Sequence, residues 1–481
     1  MICLTLMESS IEANLKVIKK NRSFIDMVEL RLDMLNDPLL VTPDKVKSKI
    51  SIPTIITYRK KRDGGKYEGS DDRRRAVLQI YSKIGFDYID LELDTFYPEI
   101  EKISNENGTK IIRSYHDFSG VPDNFESIIR QLSAKSGEIP KAAVYPKSSS
   151  ELLKMFDVIK EVKDIKDKII LGMGDFGLSS RILYKKLGSM LSYCSNTNYS
   201  NSTRSGAPGQ VSPREMVNLY RVNKITNSTS IYGIIGNPVM HTRSPEIHNE
   251  AYSRAGIDAV YIPFPVDRLD MFFKLANLLK IKGFSVTVPY KVEIIDFLGI
   301  KNPELDSINS CNTVVREGGY WKGFNTDING FLKPLLLHVE ISFIKKCAVI
   351  GAGGAARAVI SALQSIGLEV SIFNRSHENG LKLALETDCS YYPLERQDLL
   401  INYNLIVQTT SVGMFPHVDE TPLPGFKFSP DQIVYDIIYT PIKTRFLKEA
   451  EERGSVTIGG MEMLMTQGME QFELFTKHPY P

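Results

Sequence analysis

Two lysines in this sequence stand where an amine can do more than carry surface charge. Lys141 lies in the apolar stretch IPKAAVYP. Desolvation there would disfavour the ammonium form and leave an amine able to attack a carbonyl carbon and form a Schiff base. The local sequence equally allows a lysine at a strand start whose head reaches solvent. His116, in RSYHDF, suits proton shuttling or a hydrogen-bonded place in a core. Lys291 ends GFSVTVPYK, and Asp327 lies in GFNTDING. Meeting over a polyol, they would make an acid/base pair; singly, each reads as a surface charge. Thr242 and Ser244 precede Pro245, a good first-turn residue, so both hydroxyls suit either a helix cap or a carboxylate ligand.

A second kind of chemistry is written in Lys346–Ser376, KCAVIGAGGAARAVISALQSIGLEVSIFNRS. A short apolar run leads into Gly351, Ala352, Gly353, Gly354 and Ala355. An amphipathic helix pattern follows, and then a second apolar run. Strand, glycine turn, helix and strand form the unit that sets a pyrophosphate on a helix N-terminus, with Ala356 as a tolerated third glycine. The glycines let backbone approach the phosphates. The second strand ends in Asn374, Arg375 and Ser376. An acidic residue there would hold a ribose 2′-OH, whereas Arg375 favours a 2′-phosphate and so NADP over NAD. The alternative is a similar unit that binds nothing.

These residues need several domains to position them. The chain has 481 residues, too many for one ordinary core. Its hydrophobic fraction of 42% and charged fraction of 24% describe a globular protein. A net charge of +2 gives no whole-chain pull toward nucleic acid or an acidic membrane surface. The five cysteines are scattered, with neither a CxxC pair nor a zinc-type His/Cys spacing. No metal and no disulfide are expected. The N-terminus shows no leader pattern and no apolar run reaches membrane-spanning length, so a cytoplasmic location is expected.

Residues 1 to about 220 alternate eight short β-rich runs with helix-length segments, which predicts a (β/α)8 TIM barrel; a doubly wound open sheet is the alternative. Barrel chemistry gathers at the C-terminal strand ends. Glu29, Arg31, Arg59, Glu92, His116, Lys141 and Arg181 are the polar residues near those ends.

The motifs VELRLD, TYRKKRDGGKYEG, DLEL, IIRSYHDF, PKAAVYP, MGDFGLSSR and APGQ occur in an order that resembles the type I 3-dehydroquinate dehydratases. The resemblance implies that Lys141 forms the Schiff base. It makes His116 the base and then the acid for loss of water. Glu29, Arg31 and Arg59 would contact substrate, and Arg181 and Gln210 would hold its carboxylate. Two positions depart from the family pattern. Asp63 replaces a Glu before the glycine pair, and its shorter carboxylate reaches less far toward orienting His116. Gly206 replaces a Ser.

From residue 231 onward, the motifs already described resemble shikimate dehydrogenase together with TTSVGM, YDIIYTPIKTRFL and GGMEMLMTQGMEQFELFT. This resemblance implies that Thr242, Ser244 and Tyr439 bind a carboxylate. Thr287, Asn312, Asp327 and Gln467, with Gln471, would bind ring hydroxyls. Lys291 and Asp327 would be the catalytic pair, with Lys291 the favoured proton donor. Thr410 and Gly459 join the NADP contacts. Thr242, Tyr290 and Ser285 replace the more usual Ser, His and Asn.

The expected domains are a barrel over 1–222, a linker over 223–230 and a substrate-binding domain over 231–334. A Rossmann-like NADP domain spans 335–450, and 451–481 returns to the substrate-binding domain. The implied function joins two consecutive steps, dehydration of 3-dehydroquinate and NADPH-dependent reduction of 3-dehydroshikimate. Small molecules are the expected partners, with neither nucleic acid nor membrane. The rivals are a different Schiff-base lyase, a quinate dehydrogenase using NAD, and a chain in which one half is inactive.

Overall fold

The computed structural model describes residues 1–39, 41–196, 209–300 and 303–481. Gly206 and the first two residues of the APGQ motif lie outside the described residues. Two compact units are formed. The first comprises residues 1–231, 238–245 and 257–281, and the second comprises 232–237, 246–256 and 282–481.

The first unit is built on eight parallel strands: β1 (Ile2–Leu6), β2 (Met27–Arg31), β3 (Thr54–Thr57), β4 (Tyr88–Glu92), β5 (Lys110–Asp117), β6 (Ile139–Val144), β7 (Ile169–Gly172) and β8 (Ser192–Cys194). Their order is β7-β6-β5-β4-β3-β2-β1-β8. A parallel bridge between Lys168 and Ser189 brings the β7 edge to the β8 edge and nearly closes the barrel. Helices follow most strands: α1 (Ile11–Asn21), α2 (Pro43–Lys49), α3 (Asp71–Ser82), α4 (Pro98–Glu106), α5 (Phe125–Leu132), α6 (Ser149–Glu161) and α7 (Gly174–Ile182). The strands are buried almost throughout, as expected where helices cover one face and barrel side chains the other. Caps start the helices where the sequence supplies a serine. Ser10, Ser70 and Ser148 each accept from a backbone N–H in the first turn.

Residues 221–230 carry no helix before β9 begins at Ser230. The sequence predicts a polar linker here, yet Val222 and Ile225 are buried. The Lys185 and Lys186 ammonium groups donate to the carbonyls of Asn223, Asn227 and Thr229. The missed signal was two isolated apolar side chains, too few for a periodic pattern.

The rest of the chain forms β9 (Ser230–Gly236), α8 (Ser244–Arg254), β10 (Ala259–Pro265), α9 (Leu269–Leu278), β11 (Gly283–Val286), α10 (Pro303–Ile308), β12 (Thr313–Glu317), β13 (Tyr320–Phe324) and α11 (Asp327–His338). Strand β11 pairs parallel with β9 and antiparallel with β12, which pairs antiparallel with β13. Next come β14 (Cys347–Ile350), α12 (Gly354–Ser365), β15 (Val370–Asn374), α13 (His377–Thr387), β16 (Ser390–Pro393), β17 (Leu405–Gln408), β18 (Ile433–Asp436), α14 (Arg445–Glu451), β19 (Val456–Gly459) and α15 (Gly460–Thr476). These six strands form a parallel sheet in the order β16-β15-β14-β17-β18-β19. That is the doubly wound order whose switch point lies at the end of its first strand, here β14. Helix α15 runs back along α11, with Phe472 and Phe475 buried and the Tyr232 hydroxyl donating to the Phe475 carbonyl. Among the described residues, no helix is long and apolar enough to cross a membrane.

Candidate active sites

The barrel pocket is lined by Thr5, Glu29, Arg31, Arg59, Asp63, His116, Lys141, Arg181, Tyr193 and Gln210. Strand alternation explains the gathering. Residues two apart share a face, so side chains of β1, β2, β5, β6, β7 and β8, with Arg59 just after β3, converge on one axis. Of the barrel residues expected from the sequence, Glu29, Arg31, Arg59, Asp63, His116, Lys141, Arg181 and Gln210 line this pocket, whereas Glu92 does not and pairs with Arg74.

Lys141 is the third residue of β6 and is buried. Its surroundings differ from the apolar setting its sequence suggests. Nζ donates to Asp90 Oδ2 at 2.9 Å and to Glu29 Oε1 at 3.4 Å, and it lies 4.3 Å from the centroid of the Tyr193 ring. The neighbouring strands supply these partners, which IPKAAVYP alone does not reveal.

His116 lies inside β5, one residue before the strand ends at Asp117. Burial, reinforced by the Arg59 and Lys141 charges, pushes its imidazole well below the ordinary value, so it rests neutral. Arg59 Nη1 lies 3.4 Å from His116 Nδ1. A guanidinium only donates, so Nδ1 is the nitrogen that carries the lone pair.

Arg59 links the rest. It donates to Asp90 Oδ2 at 2.9 Å and to Ser114 Oγ at 2.9 Å, and it lies 3.5 Å from Glu92 Oε1. Burial opposes its charge, but Asp90, Glu92 and Glu29 outweigh that opposition and strengthen its hold on the proton. Asp90 is fully buried, and burial would raise its carboxyl. The Arg59 and Lys141 charges overcome this and hold it well below the carboxylate range. Behind them Arg74, also fully buried, pairs with Glu92 and donates to the Tyr58 carbonyl at 2.7 Å. Asp90, Ser114, Arg74 and Tyr193 were not singled out from the sequence. For Asp90 a signal existed: it stands two residues before Glu92 in DLEL, on the same face of β4.

Arg31 is turned to Asp33, at 2.9 and 2.7 Å, and to the Gly64 carbonyl at 3.4 Å. Asp63 takes a 3.3 Å contact from Arg62 Nε. Burial, with Glu92 nearby, raises the Asp63 carboxyl. Arg181 sits in the last turn of α7, with Nη1 3.4 Å from the Tyr193 carbonyl, and Gln210 is buried beside the same pocket.

In the second unit, Lys291 and Asp327 meet: Nζ lies 2.6 Å from Oδ2. The two are 36 positions apart, and each is held from both sides. The Lys291 carbonyl accepts from Cys311 N–H at 2.7 Å. Asp327 opens α11, its N–H donates to Asn325 Oδ1, and its Oδ1 accepts from Asn312 Nδ2 at 2.8 Å. Asn312 also bonds Thr326. Gln467 on α15 accepts from Thr326 Oγ1 at 3.5 Å. Gln471 is committed internally: it accepts from Ser285 Oγ at 2.7 Å and donates to Thr313 Oγ1 at 3.0 Å. Thr287 follows β11 directly and its N–H donates to the Ile235 carbonyl. Tyr439 lies between β18 and α14. Thr242 Oγ1 accepts from Ser244 N–H at 3.2 Å at the start of α8, the capping geometry, and also donates to Ser244 Oγ.

The glycine loop joins β14 to α12, and its three glycines have different tasks. Gly351 has φ +117°, and a Cβ there would meet Thr409 Oγ1 at 2.6 Å. A Cβ on Gly353 would meet nothing within 4 Å, so the backbone is open on that side. A Cβ on Gly354 would strike Lys291 Cβ at 2.7 Å, and the Gly354 carbonyl accepts from buried Ser310 Oγ at 2.9 Å. The absence of a side chain at Gly354 therefore lets the loop lie against the lysine. At the end of β15, Asn374 Nδ2 donates to the Ser376 carbonyl, Ser376 caps α13, and Arg375 is exposed. Thr410 N–H donates to Gln408 Oε1 at 2.7 Å, and Gly459 ends β19. An open glycine, a helix N-terminus and an exposed arginine at the second strand end fit a phosphorylated dinucleotide.

Comparison with known proteins finds relatives of both halves of the chain. The type I 3-dehydroquinase family profile matches residues 2–227, and the shikimate dehydrogenase substrate-binding domain profile matches 234–314. A chloroplastic bifunctional 3-dehydroquinate dehydratase/shikimate dehydrogenase of Arabidopsis thaliana is 34% identical over 508 aligned positions, covering 100% of this chain and 83% of that protein. An NADP(+) shikimate dehydrogenase of Trichormus variabilis is 38% identical over 52% of this chain and 92% of its own length. The crystal structure of shikimate dehydrogenase from Aquifex aeolicus is 37% identical, covers 53% of this chain and 96% of its own, and superposes with a TM-score of 0.50. With an aligned relative along its whole length, the chain belongs to the family of bifunctional 3-dehydroquinate dehydratase/shikimate dehydrogenases.

Proposed function

We propose that the first unit dehydrates 3-dehydroquinate through a Schiff base on Lys141, and that the second reduces the resulting 3-dehydroshikimate to shikimate with NADPH. The observation that carries the first half is the placement of a buried lysine and a neutral histidine in one barrel pocket. The Lys141 amine adds to the ring ketone and the carbonyl oxygen leaves as water, giving an iminium. His116 takes the proton on the neighbouring carbon, and the electron pair moves into the iminium as an enamine. The enamine expels the ring hydroxyl, and His116 returns its proton to that leaving oxygen. Water then hydrolyses the iminium and frees Lys141. Arg181 and Gln210 suit the substrate carboxylate, and Glu29, Arg31 and Arg59 suit its hydroxyls.

The second half rests on the 2.6 Å Lys291–Asp327 pair. Bound NADPH supplies the hydride that reaches the ring ketone. Lys291 delivers a proton to the oxygen as negative charge builds there, and Asp327 holds the ammonium in place. Asn312 and Thr326 fix Asp327, so the pair is set before substrate arrives. Thr242, Ser244 and Tyr439 provide hydroxyls suited to a carboxylate.

One coupled assay starting from 3-dehydroquinate tests both halves. Lys141→Ala abolishes dehydration and borohydride trapping of substrate while leaving reduction of 3-dehydroshikimate largely intact. Lys291→Ala does the reverse, lowering reduction by about 100-fold or more. Trapping that persists without Lys141, or product fragments in place of water loss, overturns the dehydratase assignment.

A further inference from the structure

The barrel holds a carboxylate that the steps above do not use. Asp90 Oδ2 lies 2.9 Å from Lys141 Nζ and 2.9 Å from Arg59 Nη2, and Oδ1 accepts from Ser114 Oγ at 2.6 Å. One buried carboxylate thus separates two buried cations. The face of Tyr193 stands 4.3 Å from the same Nζ, and a ring face also favours a cation.

Charge conservation gives this arrangement a purpose. An ammonium and a ketone condense to an iminium and water. A C–N double bond forms, the C–O bond breaks, and two nitrogen protons leave on the oxygen. One positive charge sits at Nζ before and after. It departs only when the α-proton moves to His116 and the electron pair reaches nitrogen. We propose that Asp90, backed by the Tyr193 face, is the counter-ion of the Lys141 iminium, keeping that nitrogen protonated so that it remains an electron sink.

Without Asp90, Arg59 and the iminium would be two neighbouring cations in a closed site. The iminium would then release its proton to become a neutral imine, which accepts electrons poorly. The groups facing Nζ are Cys3 on β1, Glu29 on β2, Arg59 after β3, Asp90 on β4, His116 on β5 and Tyr193 on β8. Of these only Asp90 bonds both cations within 3 Å; Glu29 is 3.4 Å from Nζ and 4.0 Å from Arg59 Nη2. Ser114 on β5 and Thr57 on β3 tie Asp90 and Glu29 to the strands beside their own.

The inference rests on the Schiff-base assignment, and the test separates the two. The full chain is incubated with 3-dehydroquinate and cyanoborohydride from about pH 5 to 9, and substrate-labelled Lys141 is measured by mass spectrometry. Asp90→Asn should move the alkaline limit of trapping at least one pH unit lower and reduce kcat far more than it changes KM. Ser114→Ala and Tyr193→Leu should move it the same way by less. They decide the matter if thermal unfolding shows that Asp90→Asn does not fold. An unchanged alkaline limit in the folded variants overturns the counter-ion role while leaving the Schiff base standing. A wild-type chain that traps no substrate overturns both.

Discussion

At the scale of residues, Lys141 and His116 line one pocket and Lys291 meets Asp327, and the groups packed around them come from motifs far apart in the chain. Lys141 is marked by an apolar local setting, whereas His116, Lys291 and Asp327 stand out only through the motifs around them. Lys141 is held by Asp90 and Glu29, 51 and 112 positions away, His116 lies against Arg59, 57 positions away, and Lys291 meets Asp327, 36 positions away. Such partners follow only from knowing which strands are neighbours. A residue outside both mechanisms shows the same limit. Asp436 ends β18 with no exposure, accepting from Thr444 Oγ1 at 2.6 Å and Ile438 N–H at 2.9 Å. Burial outweighs those bonds and pushes its carboxyl up to about 7. Between about pH 4 and 7 the folded chain keeps a proton there that the unfolded chain has released, so this group's contribution to stability falls as pH rises through that window. Asp436→Asn does not titrate. Its stability relative to wild type should therefore improve from pH 4 to pH 7 by up to about 4 kcal/mol, read from unfolding midpoints at several pH values. A flat difference would show that Asp436 is ionised throughout.

At the scale of elements, period-two runs and glycine turns gave strand positions within a residue or two for β1 to β7. Strand β8 is short, Ser192–Cys194, because Met190 and Ser189 are taken by the bridge that draws β7 and β8 together. The glycine loop shows what a motif conceals. Its pattern names three glycines for one purpose, whereas packing divides their work. Gly353→Ala should weaken NADPH binding with little change in the reduction rate at saturating cofactor. Gly354→Ala should displace Lys291 and lower that rate roughly tenfold or more even at saturation. Titration fluorescence and steady-state rates separate the two effects. Arg375 belongs to the strand end rather than the loop. Arg375→Ala should lose affinity for NADPH much more than for NADH, since only the former carries the 2′-phosphate. Equal loss would assign the guanidinium to the shared part of the dinucleotide.

At the scale of the whole chain, two family profiles fall in sequence order, but the compact units do not follow the same boundaries. Residues 257–281 lie within the span of the shikimate dehydrogenase profile, yet they cluster with the barrel. Helix α9 packs on α6, and β10 packs on α7. The Asp267 carboxylate accepts from Ser149 N–H at 2.7 Å, at the first residue of α6, while Asp267 N–H donates to Ser149 Oγ at 3.3 Å. A carboxylate placed on those first-turn N–H groups stabilises the helix start. A chain ended at residue 230 should therefore unfold several degrees below the full protein when followed by dehydratase activity on heating. Asp267→Ala in the full chain should show part of the same loss, about 1 kcal/mol. Equal midpoints for the truncated and full chains would make these contacts incidental.

That reciprocal bond between Ser149 and Asp267 also bears on how the gene can be cut. Sequence profiles invite division near residue 230, and homologues that carry only the second activity make the division look natural. In this chain such a cut would remove the strand and helix that shelter α6 and α7, leaving their apolar sides to water. Anyone expressing the two activities apart should expect the first fragment to need solubilising substitutions on those helices, or a longer C-terminal boundary that keeps residues 257–281.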